Sequence, residues 1–179
     1  MVIETTRLLL RQWSAADLEP FVALNADPRV TEHLPTALSR RETEALVERI
    51  RAHWGEHRFG LWVVEVSGIT SFAGTVGLTR VRFDAHFTPA VEVSWRLDPA
   101  RWGQGYATEA ARAAVRFGFD TVGLDEVVAI TVPRNTRSRR VMERLGMVRD
   151  PRDDFEHPGL APGHVLRPHV LYRLRRHNH

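Results

Sequence analysis

The chain contains no cysteine and no lysine. The first absence excludes disulfides, thiolate zinc sites and a cysteine nucleophile together. The second excludes a lysine Schiff base, a lysine nucleophile and the phosphate-gripping lysine of a Walker loop. All 25 basic side chains are therefore arginine, against 22 acidic ones, for a formal charge of +3. Arginine binds phosphates and carboxylates bidentately, but a genomic base bias gives the same excess, so the count alone names no ligand. Long apolar runs are also missing. No stretch approaches the roughly 20 residues of a membrane span, and the opening MVIETTRLLLRQW has a short apolar run without a cleavage site. The expectation is a cytoplasmic protein with no membrane partner.

What remains is an ordinary globular composition, 43% hydrophobic and 26% charged, which suits one folded domain over residues 1–179. Thr6–Trp13 reads as a strand, and Ser14 with Asp17 opens a helix carrying Leu18, Phe21, Val22 and Asn25 to a stop at Asp27-Pro28. A loop or short turn follows. Ser39 and Glu42 form an S-x-x-E box that opens a second helix through about Trp54, with Leu46, Val47, Ile50 and Trp54 inward. Phe59–Val66 and Phe72–Val81 read as a hairpin, and Arg82–Pro89 as a loop.

Val91–Leu97 alternates cleanly, with Val91, Val93, Trp95 and Leu97 on one face and Glu92, Ser94 and Arg96 on the other. After a turn holding Gly103 and Gly105, Ala107, Ala110, Ala111, Ala114 and Val115 mark a helix packed on a sheet. Glu126–Val132 reads as a buried strand. Asn135 leads a helix with Ser138, Val141, Met142 and Leu145 on one face, ended by Gly146. A short strand from Met147 to Arg149, a long loop from Asp150 to Pro168, a closing strand at Val170–Leu174 and a frayed tail from Arg175 to His179 complete the chain. The mixed order predicts an α+β domain with a mostly antiparallel sheet of about seven strands and about four helices.

The glycine turn opens a helix, whose first N–H groups make an anion site. A Rossmann fingerprint lacks its third glycine here, and a Walker loop lacks its lysine. The run EVSWRLDPARWGQGYATEAA instead resembles motif A of the GNAT N-acetyltransferases, Gln/Arg-x-x-Gly-x-Gly/Ala, through Trp102, Gly105 and Ala107, with Trp102 departing from the usual Gln or Arg. PRNTRSRRVMERLGM is similar to the N-x-x-S-x-x-x-M-x-x-L-G-[MF] segment of the Rim-type group, the ribosomal-protein N-terminal acetyltransferases and their relatives. The opening TTRLLLRQWSAADLEPFVALNADPRV and the closing HVLYRL extend the likeness.

The resemblance implies a GNAT-like sheet splayed between its fourth and fifth strands and acetyl-CoA as cofactor. It places the pyrophosphate on backbone N–H groups of Trp102, Gly103, Gln104, Gly105, Tyr106 and Ala107, with Thr108 just inside the helix. It lays the pantetheine beside Trp95 to Leu97, with a backbone N–H near Leu97 facing the thioester oxygen. Asn135 and Ser138 match a second cofactor-contacting segment. Many members place a tyrosine seven residues after that asparagine to protonate the thiolate; Met142 stands there, so the role passes to Ser138. Arg137 or Arg139 would approach the phosphates, with Arg139 counted in the cofactor set.

Structural roles compete for several of these residues: Asn135 as a helix cap, and Ser138 bonded to its own helix. Glu92 is the candidate base on the polar face of its strand, provided that burial raises its pKa, and its alternative is an ion pair with Arg96. Glu109 is expected to pair with Arg112 at i, i+3. The basic cluster around Arg134–Arg144 lacks interleaved aromatics, which disfavours nucleic acid. His53 and His57, at i, i+4, lack a third metal ligand. His157, His164 and His169 either line an acceptor pocket or lie on the surface.

The expected activity is direct acetyl transfer to a primary amine, either a protein or peptide N-terminus or a small molecule. The alternative is a non-catalytic acyl-CoA-binding regulatory module. The acceptor is expected to be chosen by the first two helices and the Arg82–Pro89 and Asp150–Pro168 loops. A homodimer is compatible with the resemblance, and no sequence feature fixes one.

Overall fold

Caps and turns written in the sequence set most element boundaries. In a computed structural model, which describes residues 1–176, strands β1 (Ile3–Glu4) and β2 (Leu8–Arg11) come first. Thr5 turns the chain between them by donating its N–H and Oγ1 to the Leu8 carbonyl. The expected Thr6–Trp13 strand is thereby shorter and gains an edge strand. Asp17 accepts from the Ser14 N–H at 2.7 Å and from both Arg11 Nη atoms, which fixes the start of α1 (Leu18–Ala26). Helix α2 (Pro28–Thr31) is one turn capped by Asp27. The Ser39–Glu42 box opens α3 (Arg40–His57), whose left-handed stop is Arg58 at φ 64°, one turn beyond Trp54.

Strands β3 (Leu61–Val66), β4 (Thr70–Arg80) and β5 (Val91–Leu97) follow. Then come α4 (Tyr106–Phe117), β6 (Glu126–Thr131), α5 (Thr136–Arg144), β7 (Val148–Arg149), β8 (Phe155–Glu156) and β9 (Pro168–Arg175). Beyond the expected seven strands and four helices stand β1, β8 and α2, each four residues or fewer and too short to leave a periodic signal. The expected tail begins later than Arg175. That residue belongs to β9, and the Arg176 N–H donates to the Asp125 carbonyl at 2.8 Å. His177 to His179 lie outside the described residues.

The sheet order is β1-β2-β3-β4-β5-β6-β9-β7, with β8 on β9. The pairs are antiparallel except β5 with β6. Helix α4 covers one face, where Ala110, Ala111 and Ala114 let it sit close to Val76, Leu78, Val93 and Leu97. Helices α1 and α3 cover the other through Phe21, Leu24, Val47 and Ile50, packed on Val63 and Phe72. Along β5 the pleat puts Val91, Val93 and Leu97 on the α4 side and Glu92, Ser94 and Arg96 on the α1/α3 side. Among the described residues no helix is long and apolar enough to cross a membrane.

Candidate active site

Among the described residues the sheet has one parallel strand pair, and it opens just beyond that pair. β4 and β5 stay in register over seven pairs, whereas β5 meets β6 at the single pair Glu92 with Val128. The phase of the β4–β5 ladder decides which groups the opening exposes. Asp98 N–H donates to the Ala73 carbonyl at 2.9 Å and Val81 N–H to the Ala90 carbonyl at 3.0 Å. Even-numbered residues of β5 therefore bond to β4, and the N–H groups of Trp95 and Leu97 point into the gap beyond Glu92. The Leu97 carbonyl is taken by the Trp102 indole at 2.8 Å. The result is a cleft of about 730 Å³, lined from the glycine turn to the Asp150–Pro168 loop.

One wall is the glycine turn. Gly103 and Gly105 have φ of 75° and 83°, a conformation disfavoured for residues with a Cβ. Gly105 is the N-cap of α4 and supplies no side chain to its first turn. The N–H groups there are left for an anion. Arg7 braces the turn from outside. It donates to the Gln104 carbonyl at 2.9 Å, lies 4.7 Å over the Tyr106 ring, and is held by Glu109 at 2.7 Å. Burial works to raise the Glu109 pKa, but hydrogen bonds from Thr5 and Arg7 outweigh it and hold the carboxyl below its ordinary range. The expected Glu109–Arg112 pair does not form; Arg112 bonds to the Arg144 carbonyl at 3.0 Å. No local sequence pattern marks Arg7, because its contacts span about 100 residues. Gln104 turns its side chain back onto the Ala100 carbonyl at 3.0 Å, so it offers the site only its backbone.

The facing wall is α5. Asn135 caps it by accepting from Ser138 N–H at 3.2 Å, and ties it to β6 through Thr131 Oγ1 at 3.0 Å. Ser138, Val141 and Met142 face the cleft with Arg137, Arg140 and Arg144. Arg137 reaches across and lies 4.7 Å over the Trp102 ring. Arg139 is a correction. Two residues on from Arg137, helical rotation carries it to the far side, where it bonds to Tyr172 Oη at 3.2 Å and the Pro133 carbonyl at 3.1 Å.

Glu92 lies at the cleft floor, ringed by protein yet open to cleft solvent. Burial pushes its pKa up to about 7. The alternative pairing with Arg96 is absent: Arg96 instead donates to Asn25 Oδ1 of α1. His157 and His169 enter the cleft with Leu160 and Leu166, and burial lowers both imidazole pKa values. His164 is occupied elsewhere, accepting from the Leu166 N–H at 3.1 Å. His33, Leu34 and Pro35 close the mouth from the loop after α2. His53 spends both ring nitrogens within the protein, on the Phe59 carbonyl at 2.8 Å and the Arg80 N–H at 3.1 Å. Among the described residues no cluster of three ligands suits a metal ion.

A family model described as an acetyltransferase (GNAT) domain matches residues 7–148. The chain is 33% identical over 178 residues to the FsC-acetyl coenzyme A-N(2)-transacetylase of Aspergillus fumigatus, covering 91% of this chain and 73% of that enzyme. Among solved structures it is similar to an acetyltransferase of Agrobacterium tumefaciens, with a TM-score of 0.81 and 26% identity over 98% of this chain and 95% of that one. It also shares its fold with RimL, the ribosomal L7/L12 alpha-N-protein acetyltransferase, solved with coenzyme A. There the TM-score is 0.79 at 15% identity, over 98% of each chain.

Proposed function

The chain belongs to the GNAT acetyltransferase family, and we propose that its cleft passes an acetyl group from acetyl-CoA directly to a primary amine. The observation that carries this reading is the pairing of an ionisable carboxylate, Glu92, with two unpaired strand N–H groups in one opening of the sheet.

The residues present fit acetyl-CoA. An uncapped helix start behind two left-handed glycines suits a pyrophosphate. Arg137, Arg140 and Arg144 add positive charge on the opposite wall, and the free edge of β5 suits an amide-bearing arm. When bound, the cofactor supplies an acetyl group activated as a thioester. The N–H groups of Trp95 and Leu97 would donate to the thioester carbonyl oxygen as charge builds on it. Glu92 takes the proton from the attacking amine, and a pKa near 7 lets it do so at neutral pH. Ser138, on the cleft-lining face of α5, would give a proton to the departing sulfur. No covalent acyl-enzyme is required, in keeping with a chain that lacks cysteine.

Two relatives support a nitrogen acceptor from different sides. One is named as an N(2)-transacetylase and the other as an alpha-N-protein acetyltransferase. The test is thiol release from acetyl-CoA over a panel of peptide N-termini and small amines. Amine-dependent release is expected; tight CoA binding with no release over the whole panel would instead mark a binding module.

A further inference from the structure

Arg96 stands apart from the partly buried arginines that are held in ion pairs. Arg11 is paired with Asp17 and Glu65, Arg149 with Asp154, and Arg173 with Glu126 and Asp153. Arg96 gives one N–H to Asn25 Oδ1 and meets no carboxylate among the described residues. Burial lowers its pKa, with no acidic neighbour to offset the effect. A guanidinium carries five N–H donors, and a partly dehydrated cation without a counter-ion is costly to keep. The protein nonetheless holds it in place. Asn25 is fully buried and anchored to Thr43 Oγ1 at 3.3 Å, so its oxygen is a fixed post for the Arg96 head.

The position of that charge points to the acceptor. Arg96 lines the cleft, but on the α1/α3 face of the sheet. The glycine turn and α4, where the phosphates are assigned, lie on the other face. Among the described residues Glu92 is the one carboxylate lining the cleft. It stands four residues away on the same face, roughly 13 Å along an extended strand, too far to neutralise Arg96. His33 Nδ1 and Arg101 Nε, buried polar atoms without a partner among the described residues, also line this cleft.

We propose that Arg96 binds a carboxylate on the acceptor, so that the amine acetylated here carries an anionic group. It would be either a free amino acid or a peptide N-terminus followed by an acidic side chain. This rests on the reading of the cleft as an amine-acetylating site.

The test is calorimetric titration of the full chain, saturated with CoA, with two matched pairs. One is leucine against leucinamide; the other is the C-terminally amidated dipeptide Ala-Asp against Ala-Asn. The carboxylate member of one pair is expected to bind roughly thirtyfold or more tightly, as for a buried charge pair that loses one partner. Which pair shows the gap identifies the source of the carboxylate. Arg96→Gln is expected to collapse the gap, and Arg96→Lys to keep part of it. Equal binding within both wild-type pairs overturns the proposal, and so does a gap that survives unchanged in Arg96→Gln. The wild-type comparison needs no variant, so a misfolded Arg96→Gln leaves that criterion in force. Thiol release separates the two readings. A carboxylate gap without turnover of any amine defeats the acetyl-transfer reading alone, whereas turnover of neutral amines with no gap defeats this one alone.

Discussion

Glu92→Gln is the perturbation with the sharpest double signature. The carboxyl's ordinary pKa is 4.5, and burial raises it to about 7 in the folded protein. Above pH 7 the wild-type group is ionised and able to take a proton. The glutamine is nearly isosteric and cannot. Loss of a positioned general base costs roughly 10²-fold or more in rate, so kcat/KM at pH 8 is expected to fall by about that factor with CoA affinity unchanged. The pH profile carries the sign: the wild-type rate rises through pH 7 as Glu92 ionises, and the variant loses that limb.

Stability runs the other way. A raised carboxyl pKa means that the folded state holds its proton more tightly than the unfolded chain. That contribution is fully present below pH 4.5 and is lost as pH climbs through about 7. The span from 4.5 to about 7 corresponds to roughly 3 kcal/mol, an upper figure because the group still touches cleft solvent. Glu92→Gln should therefore unfold at a higher temperature than wild type at pH 8, with the difference vanishing near pH 4. Unchanged rates across the profile would remove Glu92 as the base. A slower variant with no gain in stability would mean that the carboxylate is not desolvated as described.

Other predictions test the cofactor walls. Gly105→Glu puts a side chain at φ 83°, with its Cβ 3.3 Å from Arg7 Nη2 and a negative charge at the helix start. It is expected to abolish CoA binding by calorimetry, and an unchanged Kd would refute the turn assignment. Arg137→Ala removes a cation from the α5 wall of the cleft and should weaken CoA by roughly tenfold, in line with about 1.5–3 kcal/mol for a hydrogen bond to a charged group. Arg139→Ala should leave CoA affinity alone and instead lower Tm through its lost bonds to Tyr172 and Pro133; the reverse ranking would restore Arg139 to the cofactor set.

Local patterns explain what could be read before the structure. The alternation of β5, the glycine pair and the alanine stripe of α4 are short-range signals, and each formed where expected. The Ser39–Glu42 box did the same for α3. Contacts between distant segments carry no such signal: the bracing of the turn by Arg7 and the docking of Arg96 on Asn25 join residues 97 and 71 positions apart. Arg139 turns away from the cleft, onto Tyr172 and Pro133, and a dense basic run does not reveal which residues share a helix face. His157 and His169 sit around an aperiodic loop, where only the three-dimensional path decides that they enter the cleft.

The claim that an amine is acetylated directly in the splayed cleft is tested most directly by mixing the protein, acetyl-CoA and an accepted amine, then weighing every product by mass spectrometry. Direct transfer predicts one acetylated amine for each thiol released, thiol release that stops when the amine is withheld, and a protein mass that never changes. An acetyl adduct on the protein that forms without amine and is discharged by it would contradict direct transfer.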